Sequence, residues 1–263
     1  MCPEPDAAQP VPTRRHPAAV RNRHAPRRVP RRTRSTPPRR GTPPRTGNRE
    51  AHVTRGTATR YLYVVRHGQA EGEGDAPLTE AGRRQATLLG ERLRDVPFTA
   101  VHHGPLPRAA QTARLIGEQL AAPVPLDACA AADDYVPHLP ERDELPEDCA
   151  DFFLGHLSGV GKEEAEEGAR LAQEALDRFT GPVTEGTEDR HELLVTHSFL
   201  VAWLVRDALD APAWRWLGLN PGNAALTVIR YAPGRPAGVL VLNDVGHLPE
   251  ELRWTDFPDV LRV

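Results

Sequence analysis

Tyr61-Leu62-Tyr63-Val64-Val65-Arg66-His67-Gly68-Gln69 begins as a buried strand and ends in polar chemistry. Residues 61–65 are aromatic, aliphatic and β-branched, the length of a central strand and too short for a helix. A fixed cation, an imidazole and a glycine follow in direct succession. In an open α/β sheet, ligands bind at the carboxyl ends of the strands. The residue types suit phosphate. The Arg66 guanidinium presents a planar fork of donors to phosphate oxygens. A neutral His67 nitrogen is able to attack phosphorus. Gly68 is read as letting the backbone turn away with no Cβ in the pocket.

Three further pieces lie outward from this stretch. Pro77-Leu78-Thr79-Glu80-Ala81-Gly82-Arg83-Arg84-Gln85-Ala86 starts a helix, with Thr79 as N-cap and Glu80 in the first turn. His103-Gly104-Pro105-Leu106-Pro107-Arg108-Ala109-Ala110-Gln111-Thr112-Ala113 sets a second arginine at another loop-to-helix junction. Leu193-Leu194-Val195-Thr196-His197-Ser198 is a second apolar strand that ends in a histidine. These pieces, in this order over about 61–231, resemble the histidine phosphatase superfamily, also called phosphoglycerate-mutase-like.

The resemblance implies a three-layer α/β/α sandwich with a mainly parallel sheet. It also implies metal-independent phosphoryl transfer with no cofactor. His67 would be the nucleophile, Arg66 and Arg108 the phosphate clamp, and His197 a second histidine that donates to a phosphate oxygen and stabilises charge. The proton donor in the family is a glutamate or aspartate soon after the short third strand. This chain has no glutamate there before Glu141. Asp133-Asp134-Tyr135-Val136-Pro137 fits best by position, with Asp134 favoured over Asp133 and Glu141 next. Gln69 and Asn223 are secondary candidates, Asn223 as a holder of the second histidine's loop. The chain departs from the family pattern at Gly104, where a serine is common, and at Ser198, where glycine or asparagine is common.

Alternation of strand and helix argues independently for a parallel sheet covered by helices. Helices are expected over 79–94, packed through Ala81, Leu88, Leu89 and Leu93, and over 106–120, packed through Ala109, Ala113, Ile116 and Leu120. A third is expected over 162–179, with Ala165, Ala169, Ala172 and Leu176 inward, and a fourth over 199–209. Strands are expected at 98–101, 124–126 at an edge, and 224–231 with 238–242 as an antiparallel pair. The irregular, proline-rich stretch around 127–160 reads as an insertion over the site, variable enough to choose the leaving group.

The net charge of −3 hides an asymmetry. Residues 1–60 hold fifteen arginines against three acids, which leaves 18 basic and 33 acidic residues for the rest. Residues 1–58 are rich in arginine and proline and nearly devoid of large apolar side chains, so they are expected to be disordered. Two readings of this tail stay open: a translated basic segment, and upstream sequence ahead of a start at Val53. The chain has one lysine (Lys162), one methionine and many arginines, a bias that suggests a bacterial coding sequence rich in G and C. Cys2, Cys129 and Cys149 lack pairing or ligand spacing and read as incidental thiols of a cytoplasmic protein. No apolar run is long enough to span a bilayer, and His102, His103, His138 and His156 lack metal-ligand spacing.

The function expected is phosphomonoester hydrolysis of a small phosphorylated substrate. A phosphoglycerate-type mutase is the alternative within enzymes, and a non-catalytic phosphate-docking protein is the alternative outside them. Nucleic acid binding would rest on the basic tail alone.

Overall fold

The computed structural model describes residues 57–72, 74–257 and 262. The expected disordered tail, apart from its last two residues, and the expected start at Val53 lie outside them. Six strands form one sheet in the order β3-β2-β4-β1-β5-β6. They are β1 (Arg60–Arg66), β2 (Phe98–His103), β3 (Leu126–Ala128), β4 (Arg190–Thr196), β5 (Leu226–Tyr231) and β6 (Gly238–Asp244). β1, β2, β3 and β4 pair in parallel, and β5 and β6 close one side antiparallel. The helices are α1 (Glu80–Leu93), α2 (Pro107–Gly117), α3 (Ala150–His156), α4 (Lys162–Phe179), α5 (Ser198–Ala208) and α6 (Glu250–Arg253).

The period of two along the central strands builds two cores. Leu62, Val64 and Leu194 pack with Leu171, Ala175 and Phe179 of α4 and Leu200 and Leu204 of α5. Val65, Leu193 and Val195 point the other way, into Leu89 and Leu93 of α1 and Ala109, Ala113 and Ile116 of α2. Helices thus cover both faces, the three-layer arrangement expected. Thr79 caps α1, its hydroxyl accepting from the Gly82 N–H at 2.9 Å.

Some local expectations shift. The third strand starts at Leu126 rather than Val124, because Pro123 and Pro125 have no N–H to give the ladder. The buried face of α4 is Gly168, Leu171, Ala172, Ala175 and Phe179, and Ala169 faces solvent. An alanine-rich helix marks its apolar stripe weakly. Gly168 decides the contact, since a Cβ there would overlap the Val136 carbonyl oxygen. α1 buries Gly82, Gln85 and Ala86 where Ala81 and Leu88 were expected. The 127–157 stretch contains α3 and two 3-10 turns and packs under α4 and α5.

Candidate active site

The register of the two central strands creates the site. Arg66 is paired with Thr196 across β1 and β4, so the next residues, His67 and His197, leave the sheet side by side. Their rings lie 4.9 Å apart between centroids. The His67 N–H donates to the Thr196 carbonyl at 2.9 Å, and the Ala224 N–H reaches the carbonyls of Arg66 and His67 at 3.0 and 3.2 Å. Arg108 enters from the first turn of α2, next to a proline that suits the first helical position.

The partners of His67 fix its tautomer. Nδ1 lies 2.7 Å from the Gly68 carbonyl, which can only accept, so Nδ1 carries the proton. Arg108 Nε, which can only donate, points at Nε2 from 3.2 Å, so Nε2 holds the lone pair. Burial, then the nearby His197 and Arg66, push the His67 pKa well below its ordinary value, and the ring is neutral at pH 7.

Arg108 is 5% exposed, and its remaining nitrogens are also engaged. Nη2 donates to Asp134 Oδ2 at 2.9 Å and Nη1 to the Gly74 carbonyl. His197 is 1% exposed, and neither ring nitrogen has a hydrogen-bond partner. Burial first, then Arg108 and Arg66, pull its pKa down to about 3, so it too is neutral at pH 7. Its Nδ1 lies 3.5 Å from the same Asp134 Oδ2. One carboxylate oxygen therefore occupies the gap between Arg108 and His197, where an oxygen of a bound anion would find both groups. Asp133 accepts the Asp134 N–H at 2.8 Å, and burial raises its pKa.

Arg66 donates through Nη1 to the Pro221 carbonyl at 2.9 Å, and its buried Nε has no partner. Arg66, His67, Arg108, Asp134 and His197 are thus brought together. Glu141 instead belongs to a 3-10 turn, its N–H donating to Glu144 at 2.9 Å. The secondary candidates meet elsewhere. Asn223 gives its Nδ2 hydrogens to the Thr255 carbonyl, the Thr255 hydroxyl and Asp256 Oδ2 at 3.1, 3.0 and 3.2 Å. It holds the C-terminal segment rather than the loop of His197. Gln69 Nε2 donates to Asp256 Oδ1 at 2.8 Å.

Two glycines are explained by close approach. A Cβ at Gly68 would stand 2.5 Å from the Gly82 carbonyl oxygen, so this glycine answers to the helix crossing above it rather than to a turn. A Cβ at Gly104 would stand 2.5 Å from the Ala132 carbonyl oxygen and 3.2 Å from His197 Nε2, so the family's serine has no room here. Sequence reasoning missed Thr112, Gln85 and Asp256. Thr112 accepts the Gly68 N–H at 3.1 Å, and it lies four residues after Arg108, on the same helix face. Gln85 accepts the Gln69 N–H at 2.8 Å, and its signal was a polar residue inside the buried stripe of α1. Asp256 had no local signal. Among the described residues no group of three or more His, Cys, Asp or Glu side chains is placed to hold a metal ion, and no helix is long and apolar enough to cross a membrane.

Comparison with known proteins gives the following. The mitochondrial serine/threonine-protein phosphatase Pgam5 of Caenorhabditis elegans is 31% identical over 198 residues, covering 73% of this chain and 66% of that one. The mitochondrial serine/threonine-protein phosphatase PGAM5 of Homo sapiens is 26% identical over 200 residues, covering 74% of this chain and 65% of that one. The chain thus spans just under two thirds of the length of these relatives. The alpha-ribazole phosphatase of Shigella flexneri shares the fold at a TM-score of 0.53 and 21% identity, covering 70% of this chain and 96% of that one.

These relatives overturn the expectation of a bacterial, cytoplasmic protein, since they are mitochondrial proteins of animals. That expectation rested on arginine bias and incidental thiols. Composition of that kind does not encode a compartment. The relatives are named as phosphatases, which does not favour the mutase alternative. Residues 62–244 match the family model, from within β1 to the end of β6, and the chain belongs to the histidine phosphatase superfamily, branch 1.

Proposed function

We propose that the chain hydrolyses phosphomonoesters through a phosphohistidine on Nε2 of His67. The observation that carries this reading is the tautomer of His67. Its proton is committed to the Gly68 carbonyl, and its lone pair faces the guanidinium that would hold the phosphoryl group. Nε2 attacks phosphorus, the bond to the leaving oxygen breaks, and the Gly68 carbonyl steadies the positive charge that the ring acquires. Arg66, Arg108 and His197 receive the equatorial oxygens. Water then attacks the phosphohistidine, giving inorganic phosphate and free His67.

Asp134 is the leaving-group acid in this reading. Its oxygen fills the gap between Arg108 and His197, so an incoming phosphate displaces it. Once displaced, it is released from the Arg108 guanidinium and free to carry a proton to the leaving oxygen. The acid then protonates the leaving oxygen and, as carboxylate, takes a proton from the attacking water. Asp133, whose pKa burial already raises, is the second candidate. The substrate class is an alkyl phosphomonoester, on a small molecule or, as the relatives' names suggest, on serine or threonine of a protein.

Covalent labelling tests the reading. Wild type given a radiolabelled phosphomonoester and quenched in alkali should carry an acid-labile phosphoryl group, and His67→Ala should carry none. Label that persists in the variant overturns it. Transfer of the label to a second alcohol instead of water would favour the mutase alternative, and absence of label and turnover on every ester would favour a docking protein.

A further inference from the structure

Asp256 lies beyond residue 244, where the family match ends, yet its carboxylate is built into the rim of the site. Gln69 Nε2 holds Oδ1 at 2.8 Å, and Asn223 Nδ2 holds Oδ2 at 3.2 Å. Both amides belong to loops that carry the chemistry. Gln69 lies two residues after His67, and the residue after Asn223 donates its N–H to the carbonyls of Arg66 and His67. The neighbouring Thr255 is gripped as well, its hydroxyl receiving Gln85 Nε2 at 2.9 Å and Asn223 Nδ2 at 3.0 Å. Asn223 is 1% exposed and Gln85 fully buried, so these are fixed supports. Asp256 itself is exposed and adopts a left-handed backbone with φ of 64°, a conformation more open to aspartate than to most side chains. Two amides thus keep a charged group at a solvent-facing position.

The charge at that position acts on Arg66. Burial lowers the Arg66 pKa, while Asp134 and then Asp256 hold it up. When phosphate displaces Asp134, Asp256 keeps its place on Gln69 and Asn223. Two buried arginines attract any anion, including the carboxylate or second phosphate of a wrong leaving group. Discrimination needs a negative charge at the mouth.

We propose that Asp256 is a specificity-determining residue of this site: it disfavours phosphomonoesters whose leaving group is anionic and favours neutral or cationic ones. The proposal rests on the phosphatase reading above. Two unit charges about 7 Å apart at an effective dielectric of about 40 interact by roughly fivefold to tenfold in a rate or binding constant.

The experiment compares 3-phosphoglycerate (anionic leaving group), glycerol 2-phosphate (neutral) and phosphoethanolamine (cationic). In wild type kcat/KM should rise in that order. Asp256→Asn should raise the ratio of the anionic to the neutral ester about fivefold to tenfold and lower the ratio of the cationic to the neutral one. Asp256→Glu, which keeps the charge, should keep the wild-type ratios. A second arm measures dissociation constants of the same esters by calorimetry on His67→Ala and on His67→Ala with Asp256→Asn. That arm reads charge selection without turnover, so failure of the phosphatase reading leaves it intact. Equal change for all three esters in Asp256→Asn, or a charge ratio that does not move in either arm, overturns the proposal and leaves Asp256 a purely structural anchor.

Discussion

Gly82→Ala should disable the site from a position whose side chain would never touch substrate. Gly82 is the third residue of α1, where it passes over the loop after His67. A Cβ there would overlap the Gln69 carbonyl oxygen outright and stand 2.9 Å from the Gln69 carbonyl carbon and nitrogen, where ordinary contact begins at 3.4 Å. These neighbours are backbone, so no rotamer relieves the clash. The helix and the loop must part by about 1 Å, and the loop carries His67. Displacement of a reacting group by about 1 Å costs roughly a hundredfold in rate. Steady-state hydrolysis of nitrophenyl phosphate should therefore show kcat/KM reduced about a hundredfold.

Gly90→Ala is the control on the same helix. Its Cβ would meet Gln119 Cβ and Cγ and Ile116 Cα, each at 2.9 Å, well away from the chemistry. Overpacking should cost about 1–3 kcal/mol in urea unfolding, offset by about 1 kcal/mol of helix propensity, with kcat/KM within about twofold of wild type. A folded Gly82→Ala with wild-type kcat/KM would refute the reasoning. So would equal loss of activity in both variants.

Asp134→Asn should slow an alkyl phosphate about a hundredfold more than nitrophenyl phosphate, whose phenolate leaves without a proton; equal slowing of both would assign Asp134 a structural role, and selective loss in Asp133→Asn would move the acid to its neighbour. The two neutral histidines make stability depend on pH with a definite sign. His197 titrates near 3 in the fold and near 6.5 in the unfolded chain, so its contribution is fully present above pH 6.5 and is lost as pH falls toward 3, where only the unfolded chain takes up the proton. Between pH 6.5 and 5.5 wild type should lose about 1 kcal/mol more than His197→Asn in urea titrations. Identical losses would show that His197 is charged in the native state.

The sequence carried the strand that ends in Arg66 and His67, the arginine in the first turn of α2, the two neighbouring histidines and the order of the main elements. These are local statements. A strand of period two, a cap at Thr79 and an arginine in the first turn of a helix are written within a few residues of one another. The polar Gln85 inside the stripe of α1 was a local sign of a site contact as well. The contacts that complete the site are not local. The β1–β4 register that sets His67 beside His197 spans about half the chain, and the need for glycine at 68, 82 and 104 comes from backbone that approaches from other elements. Asp134 was placed by position in the chain, but its place between Arg108 and His197 follows from how the 127–157 stretch packs under α4 and α5. Asp256 was invisible for the same reason. It lies in a segment without periodicity, and what makes it part of the site is a pair of amides from Gln69 and Asn223, 187 and 33 residues away in the chain. Composition constrained one-dimensional properties, while the charge that an anion would meet at the mouth was decided by which distant backbones close-packing brought together.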